Sequence, residues 1–214
     1  MASFRNPMGA NETFQNILSY YNESHRAHHV LEHIVNMLDE FDAMEEDRYW
    51  MSQYERAPEG ISGNAHFQYP MELAIWFHDA VYNPRAKDNE ELSAVLLADS
   101  LKKLGIFDSV AFEHSKSVIL DTKHTTKPRS DEGSIVVSID LAILGKSEEE
   151  FDRYETNIRK EYEWVPWMDY CKGRSAIIQS FLDRSSIYFT DFFRHTYEAS
   201  ARKNLARSIE KLKF

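Results

Sequence analysis

An adjacent histidine and aspartate, His78 and Asp79, follow a largely apolar stretch at residues 71–77. A carboxylate that is buried without a partner is energetically costly, even after the protein relaxes around it. A divalent metal ion neutralises such a carboxylate when further histidine and aspartate side chains converge on the same point. The pair therefore predicts a metal site, provided that other ligands reach it.

Further ligand-type residues lie on both sides of this pair. Upstream, His29 and His33 are four residues apart, so that on a helix they share one face. Downstream, Asp140 is a lone carboxylate in an otherwise apolar run. Separately, each has an ordinary explanation, as a surface histidine pair or a helix end. Together they are costly to bury unless they share an ion. The predicted metal ligands are His33, His78, Asp79 and Asp140.

The composition excludes several classes of function. The 214 residues include 35 acidic and 25 basic residues, for a net charge of −10, which disfavours a bound nucleic acid polymer. Cys171 is the only cysteine, which excludes an intrachain disulfide and leaves no cysteine cluster for zinc. No run reaches the roughly 18 apolar residues that span a membrane, and no hydrophobic signal region opens the chain. We expect a soluble cytoplasmic protein without membrane contact, and a homo-oligomer remains open.

The small number of turn-forming residues indicates the fold class. Seven glycines and six prolines are few for the tight turns of a β protein, whereas apolar residues recur with a 3.6-residue period. We predict an all-α fold that forms a single domain over residues 1–214, a length that buries roughly 70% of the unfolded chain's surface. The metal site is then expected between core helices.

The predicted helices bring the upstream residues toward the site. One helix is predicted to begin near His28, so that His29 lies one turn before His33 and Arg26 one turn before His29. Residues 56–69 have no clean period and are predicted to form a loop, which could close over the site as a lid.

The downstream ligands need two more helices. Pro70 is predicted to lie in the first turn of the helix that leads to His78. Asp79 follows His78 by about 100° around the helix axis, so both reach one ion only where the helix ends. A polar loop at residues 127–133 is predicted to precede the helix of Asp140.

Later helices show local signals. Ser147 and Glu150 form a capping-box pattern. Gly173 and Arg174 are predicted to precede a helix, and Thr190 is predicted to cap the last one.

Seven stretches, in order, carry a resemblance to a known family that covers nearly the whole chain. They are residues 26–29 with 33–34, residues 74–82, residues 88–90 with 93–94, residues 140–145, residues 158–159 with 161–162, residues 173–174, and residues 201–202 with 204–205. The chain resembles the HD superfamily, and within it a bacterial group described as predicted metal-dependent phosphohydrolases. Their metal is held by a histidine, a histidine-aspartate doublet and a distant aspartate.

The resemblance implies an HD-type helical bundle that hydrolyses phosphates with a divalent ion, which could be Mn²⁺, Mg²⁺, Fe²⁺ or Zn²⁺. It implies that the four predicted ligands, Asp79 among them, hold this ion, which lowers the pKa of a bound water. His29 matches the histidine that protonates the leaving oxygen in the related cyclic-nucleotide phosphodiesterases, and imidazole has a suitable pKa. Glu90 could orient the attacking water, or could simply favour the helix dipole.

Basic residues are the candidates for substrate contact. They are Arg26, Lys123, His124, Arg159 and Arg174, and for each a surface ion pair is the alternative. His124 could instead join Asp121 in a second metal site. The predicted substrate is a small molecule that carries a phosphate ester or anhydride, and we expect a nucleotide.

Two alternatives remain open. The chain could be a phosphodiesterase that acts on a cyclic or linear diester, or a non-catalytic sensor that keeps the metal and binds a nucleotide. Ser138 stands where relatives tend to carry an aspartate, and no acidic residue closely follows Asp79. These two departures are the reason to retain the sensor.

Overall fold

The structure, a computed structural model, describes residues 7–46 and 65–213 of the chain, and in these residues it contains helices and no strand. In chain order the elements are α1 (Pro7–Tyr21), α2 (Leu31–Glu46), α3 (Ala65–Phe77), α4 (Asn89–Leu104), α5 (Ser109–Asp121), α6 (Asp131–Asp140), a short 3-10 helix (Leu141–Gly145), α7 (Glu148–Glu161), α8 (Trp167–Leu182) and α9 (Asp191–Leu212). The predicted all-α fold is confirmed. None of the described helices is long and apolar enough to cross a membrane.

Helix α3 lies at the centre of the first half of the molecule, where it contacts α2, α4, α5 and α6. Met71, Ala74 and Ile75 are fully buried on it, as their helical spacing predicts. The chain leaves this helix at Phe77, so the next two residues, His78 and Asp79, enter the interior where the helix ends.

The 3-10 helix is held tightly against α9. A Cβ atom on Gly145 would lie 2.5 Å from the Cβ and 2.8 Å from the carbonyl oxygen of Tyr197, so only glycine permits this approach. The Asn204 side chain donates hydrogen bonds of 3.0 Å to both carbonyls that flank Gly145. These contacts fix the segment that directly follows Asp140.

Several helix ends follow local rules. The predicted capping box of Ser147 and Glu150 is present at the start of α7. Gly105 ends α4 with a left-handed backbone, at a φ of 70°, and its N–H bonds to the last carbonyls of that helix. Asp108 caps α5 by accepting from two backbone N–H groups.

The start of α2 is a correction, because this helix begins at Leu31 rather than near His28. The backbone N–H groups of residues 27, 28 and 29 all donate to Oε1 of Glu161, at 2.7, 2.7 and 3.0 Å. This carboxylate holds the three residues in a turn outside the helix. His29 therefore does not lie one helical turn before His33, and Arg26 does not lie on that helix either.

The start of α3 is a second correction. This helix begins at Ala65, so that residues 65–69 are helical rather than part of the predicted loop, and Pro70 lies inside the helix. A proline there loses one backbone hydrogen bond, a cost that the burial of Pro70 and of the apolar residues after it helps to offset. The rest of the predicted loop and lid, residues 56–64, lies outside the described residues.

Two further starts come earlier than predicted. Ser130 caps α6 by accepting from the N–H of Gly133 at 3.0 Å, so residues 131–133 are helical rather than part of a loop. Gly173 and Arg174 lie within α8, which begins at Trp167, rather than before a helix. The incorrectly predicted starts are thus those of helices that follow a turn or that contain a proline or glycine. The helices themselves occur as predicted.

Candidate metal centre

Three helices bring the four predicted ligands together. His33 lies in the first turn of α2, His78 and Asp79 directly follow α3, and Asp140 is the last residue of α6. The histidine side chains are almost fully buried, while the carboxylates of Asp79 and Asp140 are 16% and 15% exposed. The histidines thus lie deeper in the protein than the two carboxylates, which keep some contact with solvent.

The donor atoms of these residues face one another. His33 Nε2 lies 3.3 Å from His78 Nε2 and 3.2 Å from Asp140 Oδ1. Asp79 Oδ2 lies 3.0 Å from His78 Nε2 and 3.7 Å from His33 Nε2. His33, His78 and Asp140 form a group whose donor atoms all lie within 4.8 Å of one another, and such a group could hold a metal ion.

The separations fit a common coordination sphere. Ligand atoms that each lie about 2.1 Å from one ion are about 3.0 Å apart at an octahedral edge and about 3.4 Å apart at a tetrahedral edge. The His33–His78, His33–Asp140 and His78–Asp79 separations of 3.3, 3.2 and 3.0 Å match these edges, whereas the His33–Asp79 and His78–Asp140 separations, at 3.7 and 3.9 Å, are longer. Two imidazoles with two carboxylates are also ligand types that first-row divalent metals accept.

A hydrogen bond on the far side of His78 orients its ring. Nδ1 of His78 lies 3.0 Å from the carbonyl oxygen of Ile75, which can only accept, so this nitrogen carries a proton. In the neutral ring, Nε2 then presents a lone pair toward His33 and the Asp79 carboxylate. Backbone contacts of this kind orient histidines that bind metals.

The charges in the cluster shift the pKa values of its members. Burial lowers the pKa of His78, but the carboxylates of Asp79 and Asp140 outweigh this effect and raise that pKa to about 9. Burial raises the pKa of Asp79, yet the positive charge of His78 and neighbouring histidines holds that pKa far below its usual range. The carboxylates are therefore available as anionic ligands over the physiological range of pH.

Glu161, at the end of α7, positions His29, although it was not among the site residues predicted from the sequence. Its Oε2 accepts from Nδ1 of His29 at 2.6 Å and from the Tyr82 hydroxyl at 3.0 Å, while Oε1 accepts the three backbone N–H groups described above. Burial raises the pKa of Glu161, but the bonds from His29 and the amides hold it well below its usual range. The only signal for this residue was its place in one of the resembling stretches.

His29 lies beside the ligand group although it is not on the helix of His33. Its ring stacks on Tyr82, with centroids 4.1 Å apart, and lies 6.1 Å from the His33 ring. Burial lowers the pKa of His29, but Asp79 and Glu161 together raise it above its ordinary value. The ring is thus held through Nδ1, and Nε2 is the nitrogen left for proton transfer.

His124 approaches the cluster from the turn after α5. Its Nε2 lies 2.8 Å from Asp140 Oδ2, on the oxygen that does not face His33. Among the described residues, His124 is the one non-glycine with a positive φ, at 56°. Its Nδ1 is buried, and among the described residues it has no hydrogen-bond partner. Strained backbone is costly and often marks a functional position.

A cavity of about 340 Å³ lies next to the ligand group, a size typical of small-molecule sites. Asp140 belongs both to the ligand group and to the cavity wall, and His29 also lines the wall. The permanently charged cations of the described lining are Lys123, Arg174 and Arg184, and Asp140 is its one carboxylate. Three permanently charged basic side chains thus line one cavity of a chain whose net charge is −10.

Two of the predicted substrate residues line this cavity with their charges already paired. Lys123 lies 2.6 Å from a carboxylate oxygen of Glu91 and 3.6 Å from one of Glu90. Arg174 pairs with Glu155 and donates to a tyrosine hydroxyl. Glu90, which was predicted to orient a water, is thus engaged by Lys123.

Two other predicted substrate residues are occupied by the backbone. The Arg26 guanidinium is buried and donates to the carbonyls of His29, Asp79 and Ala80, at 3.1, 2.6 and 2.9 Å. Arg159 donates to two backbone carbonyls at 2.7 and 3.1 Å. Neither residue lines the cavity, and we assign neither to substrate contact.

Structural partners engage the two residues considered for a second metal site, and also Ser138, which was a reason to retain the sensor. The Asp121 carboxylate is buried and accepts from the backbone N–H of Arg129 at 3.1 Å, whereas the His124 ring turns to Asp140. Ser138 is buried as well, and its Oγ accepts from the N–H of Phe189 at 3.0 Å. Ser138 thus joins α6 to the segment before α9.

Comparison of the chain with protein-family models, with curated proteins and with solved structures found no match.

Proposed function

We propose that this chain is a metal-dependent hydrolase that cleaves a phosphate ester or anhydride of a small molecule, with nucleotides as the expected class. One observation carries the proposal: Asp140 belongs both to the histidine-aspartate ligand group and to the wall of a cavity that three basic side chains line. A phosphate in the cavity would then lie beside a metal site. The HD-type metal pattern in the sequence supports the same reaction.

The proposed reaction divides the work between the ion and the protein. A divalent ion held by His33, His78, Asp79 and Asp140 would supply Lewis acidity to the phosphoryl group and lower the pKa of water. His29 donates a proton to the leaving oxygen through Nε2, because Glu161 binds Nδ1. Two imidazole ligands favour Mn²⁺, Fe²⁺ or Zn²⁺ over Mg²⁺.

The single cysteine, buried and free, supports a reducing compartment such as the cytoplasm.

The test begins with the metal content of the purified protein. We expect near-stoichiometric divalent metal, and we expect His33→Ala and Asp79→Ala to lose both metal and phosphate release from a nucleotide panel. His114→Ala is the matched control, because its side chain is 57% exposed and lies outside the ligand group. Full metal occupancy in Asp79→Ala would contradict the assignment of that ligand.

His29→Ala separates binding from chemistry. The variant keeps metal, because His29 is not a ligand, and we expect its rate of phosphate release to fall by about 100-fold or more through the loss of the proton donor. The measurement is kcat on the best substrate of the panel, with metal content determined on the same sample. A rate equal to that of the wild type would remove His29 from the reaction.

A binding-only sensor is the second candidate, and one observation favours it. Glu90, the carboxylate that could have oriented a water, is engaged by Lys123, and the described cavity wall has no carboxylate apart from the ligand Asp140. The sensor predicts retained metal and a raised melting temperature with nucleotide, but no phosphate release with any metal. Turnover would exclude it. Appearance of a linear monoester from a cyclic or linear diester would instead favour a phosphodiesterase.

A further inference from the structure

Arg184 differs from the other two cations of the cavity. It lies just after α8, half-buried, and among the described residues no carboxylate lies within ion-pair distance of it. Its guanidinium lies 4.3 Å from the centre of the Phe181 ring and donates to the carbonyl of His124 at 3.0 Å. Arg184 was not among the residues singled out from the sequence.

A partly buried guanidinium without an anion is unfavourable. Burial lowers the pKa of Arg184, and no neighbouring carboxylate opposes that shift. Guanidinium offers five N–H donors in a planar fork that matches two oxygens of a phosphate. In the described part of the chain one hydrogen bond from this guanidinium is present, to a neutral carbonyl, so most donors remain for a ligand.

The position of Arg184 is fixed relative to the metal ligands. The carbonyl of His124 accepts from Arg184, and the ring of the same residue contacts Asp140 at 2.8 Å. On the other side, Arg202 donates to the backbone carbonyl of Arg184 at 2.8 Å. An anion bound by this guanidinium would therefore lie in the cavity next to the ligand group.

Another part of the cavity wall is apolar, and it includes the Phe181 ring that the Arg184 guanidinium contacts. Ile143, Ile177 and Phe181 line it, and Ile177 is 50% exposed although it is large and hydrophobic. An exposed apolar side chain in a concave site favours an apolar part of a ligand. The cavity thus combines one unpaired cation with an apolar surface.

We propose that Arg184 binds the phosphate of the substrate, and that the apolar wall receives the organic part, so that the preferred class is a phosphate monoester with an apolar or aromatic group. This inference rests on the proposed phosphohydrolase function and names its substrate class. It assigns specificity to a residue of the loop after α8, separate from the metal ligands.

The first test is calorimetric titration with inorganic phosphate, in metal-stripped and in Mn²⁺-loaded protein. Arg184→Gln is expected to bind phosphate about tenfold more weakly or worse in both forms, and Arg184→Lys is expected to fall between, because it keeps the charge but loses the fork. Metal content should not change. Arg85→Gln is the matched control, since the Arg85 guanidinium lies 4.2 Å from the Trp164 ring outside the cavity.

The outcomes separate this inference from the proposed function. If Arg184→Gln and Arg184→Lys both bind phosphate like the wild type while phosphate release persists, the inference is overturned and the hydrolase remains. If the wild type neither binds phosphate nor releases it from any substrate, both are overturned. Should Arg184→Gln fail to fold, the affinity of Arg184→Lys decides, and a wild-type value counts against the inference.

The second test concerns the apolar wall. Ile177→Ser is expected to reduce the affinity for phenyl phosphate several-fold, through the loss of apolar contact, without changing the affinity for inorganic phosphate. Val110→Ser, at a 66% exposed position outside the cavity, is the control. Equal loss for both ligands, or no loss for phenyl phosphate, would remove the organic group from that wall.

Discussion

A single carboxylate, that of Glu161, fixes both the backbone and the ring of His29. It accepts hydrogen bonds from three successive amides and from the imidazole Nδ1, and a tyrosine hydroxyl completes its set of donors. Because every bond is made to a charged and buried acceptor, each is stronger than a neutral one. The turn before α2 is therefore held by this side chain rather than by helix formation.

Glu161→Gln is expected to destabilise the protein by about 2 kcal/mol, since the amide group replaces an oxygen that accepts from His29 and Tyr82. The measurement is the free energy of unfolding in urea. Glu163→Gln, two residues later and exposed, is the control and should change stability by less than about 0.5 kcal/mol. Equal effects of the two substitutions would contradict the proposed anchoring.

The same pair of proteins makes a pH prediction. The pKa of Glu161 is lower in the folded state than in the unfolded chain, where it is about 4.3. The wild type should therefore keep its full advantage over Glu161→Gln between that pH and the ordinary histidine pKa of about 6.5, and the advantage should shrink as the pH falls toward the folded-state pKa of Glu161. It should also shrink at higher pH as His29 loses its proton, because Glu161 raises the pKa of His29. The free energies of unfolding of both proteins in urea, at a series of pH values, measure this advantage. An advantage that grows as the pH falls below the unfolded-state pKa of Glu161 would contradict the prediction.

Some site residues could be predicted from the sequence and others could not, for a physical reason. His33, His78, Asp79 and Asp140 are polar residues in apolar helical surroundings, so their local context alone made them costly to bury. Glu161 contacts His29 across 132 positions of the chain, and Arg184 contacts His124 across 60. Both lie among other charged or polar residues, where nothing local separates them from a solvated surface.

At the level of secondary-structure elements, apolar periodicity predicted the helices better than their starts. The capping box at Ser147 needs only four neighbouring residues, and it was predicted correctly. The start of α2 depends instead on a carboxylate from α7, and α3 continues before Pro70 in spite of the lost hydrogen bond. Starts that depend on distant contacts cannot be found in the local pattern.

Two glycines should respond in opposite ways to alanine. Gly145→Ala places a methyl group 2.5 Å from the Cβ of Tyr197, which pushes the 3-10 helix away from α9, and we expect a loss of about 1–3 kcal/mol in the free energy of unfolding. Gly173→Ala lies in the exposed interior of α8 with no atom within 4 Å of the new Cβ, so it should stabilise by about 0.5–1 kcal/mol.

Urea unfolding of both variants measures these changes, and metal affinity provides a second readout. Because the 3-10 helix directly follows Asp140, Gly145→Ala should also weaken metal binding, whereas Gly173→Ala should leave it unchanged. A neutral effect of Gly145→Ala on both stability and metal affinity would contradict the close contact with α9.

At the scale of the whole molecule, the candidate metal centre lies where three helices from the first two thirds of the chain meet. The unfolded chain cannot hold these residues together, so an ion at this candidate site would bind the folded state preferentially. Metal binding should therefore raise the free energy of unfolding, whatever the substrate is.

We expect Mn²⁺ at 100 times its dissociation constant to raise the free energy of unfolding of the wild type by about 2.7 kcal/mol, and a chelator to reverse this gain. His33→Ala should show no such response, because it lacks a ligand, while His114→Ala should respond like the wild type. Thermal or urea unfolding with and without metal measures the difference. An equal response of His33→Ala would place the ion elsewhere.

Helix α8 supplies Arg174, Ile177, Ser180 and Phe181 to the cavity wall, whereas the metal ligands come from α2, α6 and the end of α3. The groups proposed to choose the substrate thus lie on α8 or in the loop directly after it, apart from the helices that carry the candidate metal ligands. Ile177 and Ser180 are exposed, so they can mutate at little cost to folding. Homologous proteins could therefore keep the same reaction and still differ in substrate specificity, through substitutions at these exposed positions of α8.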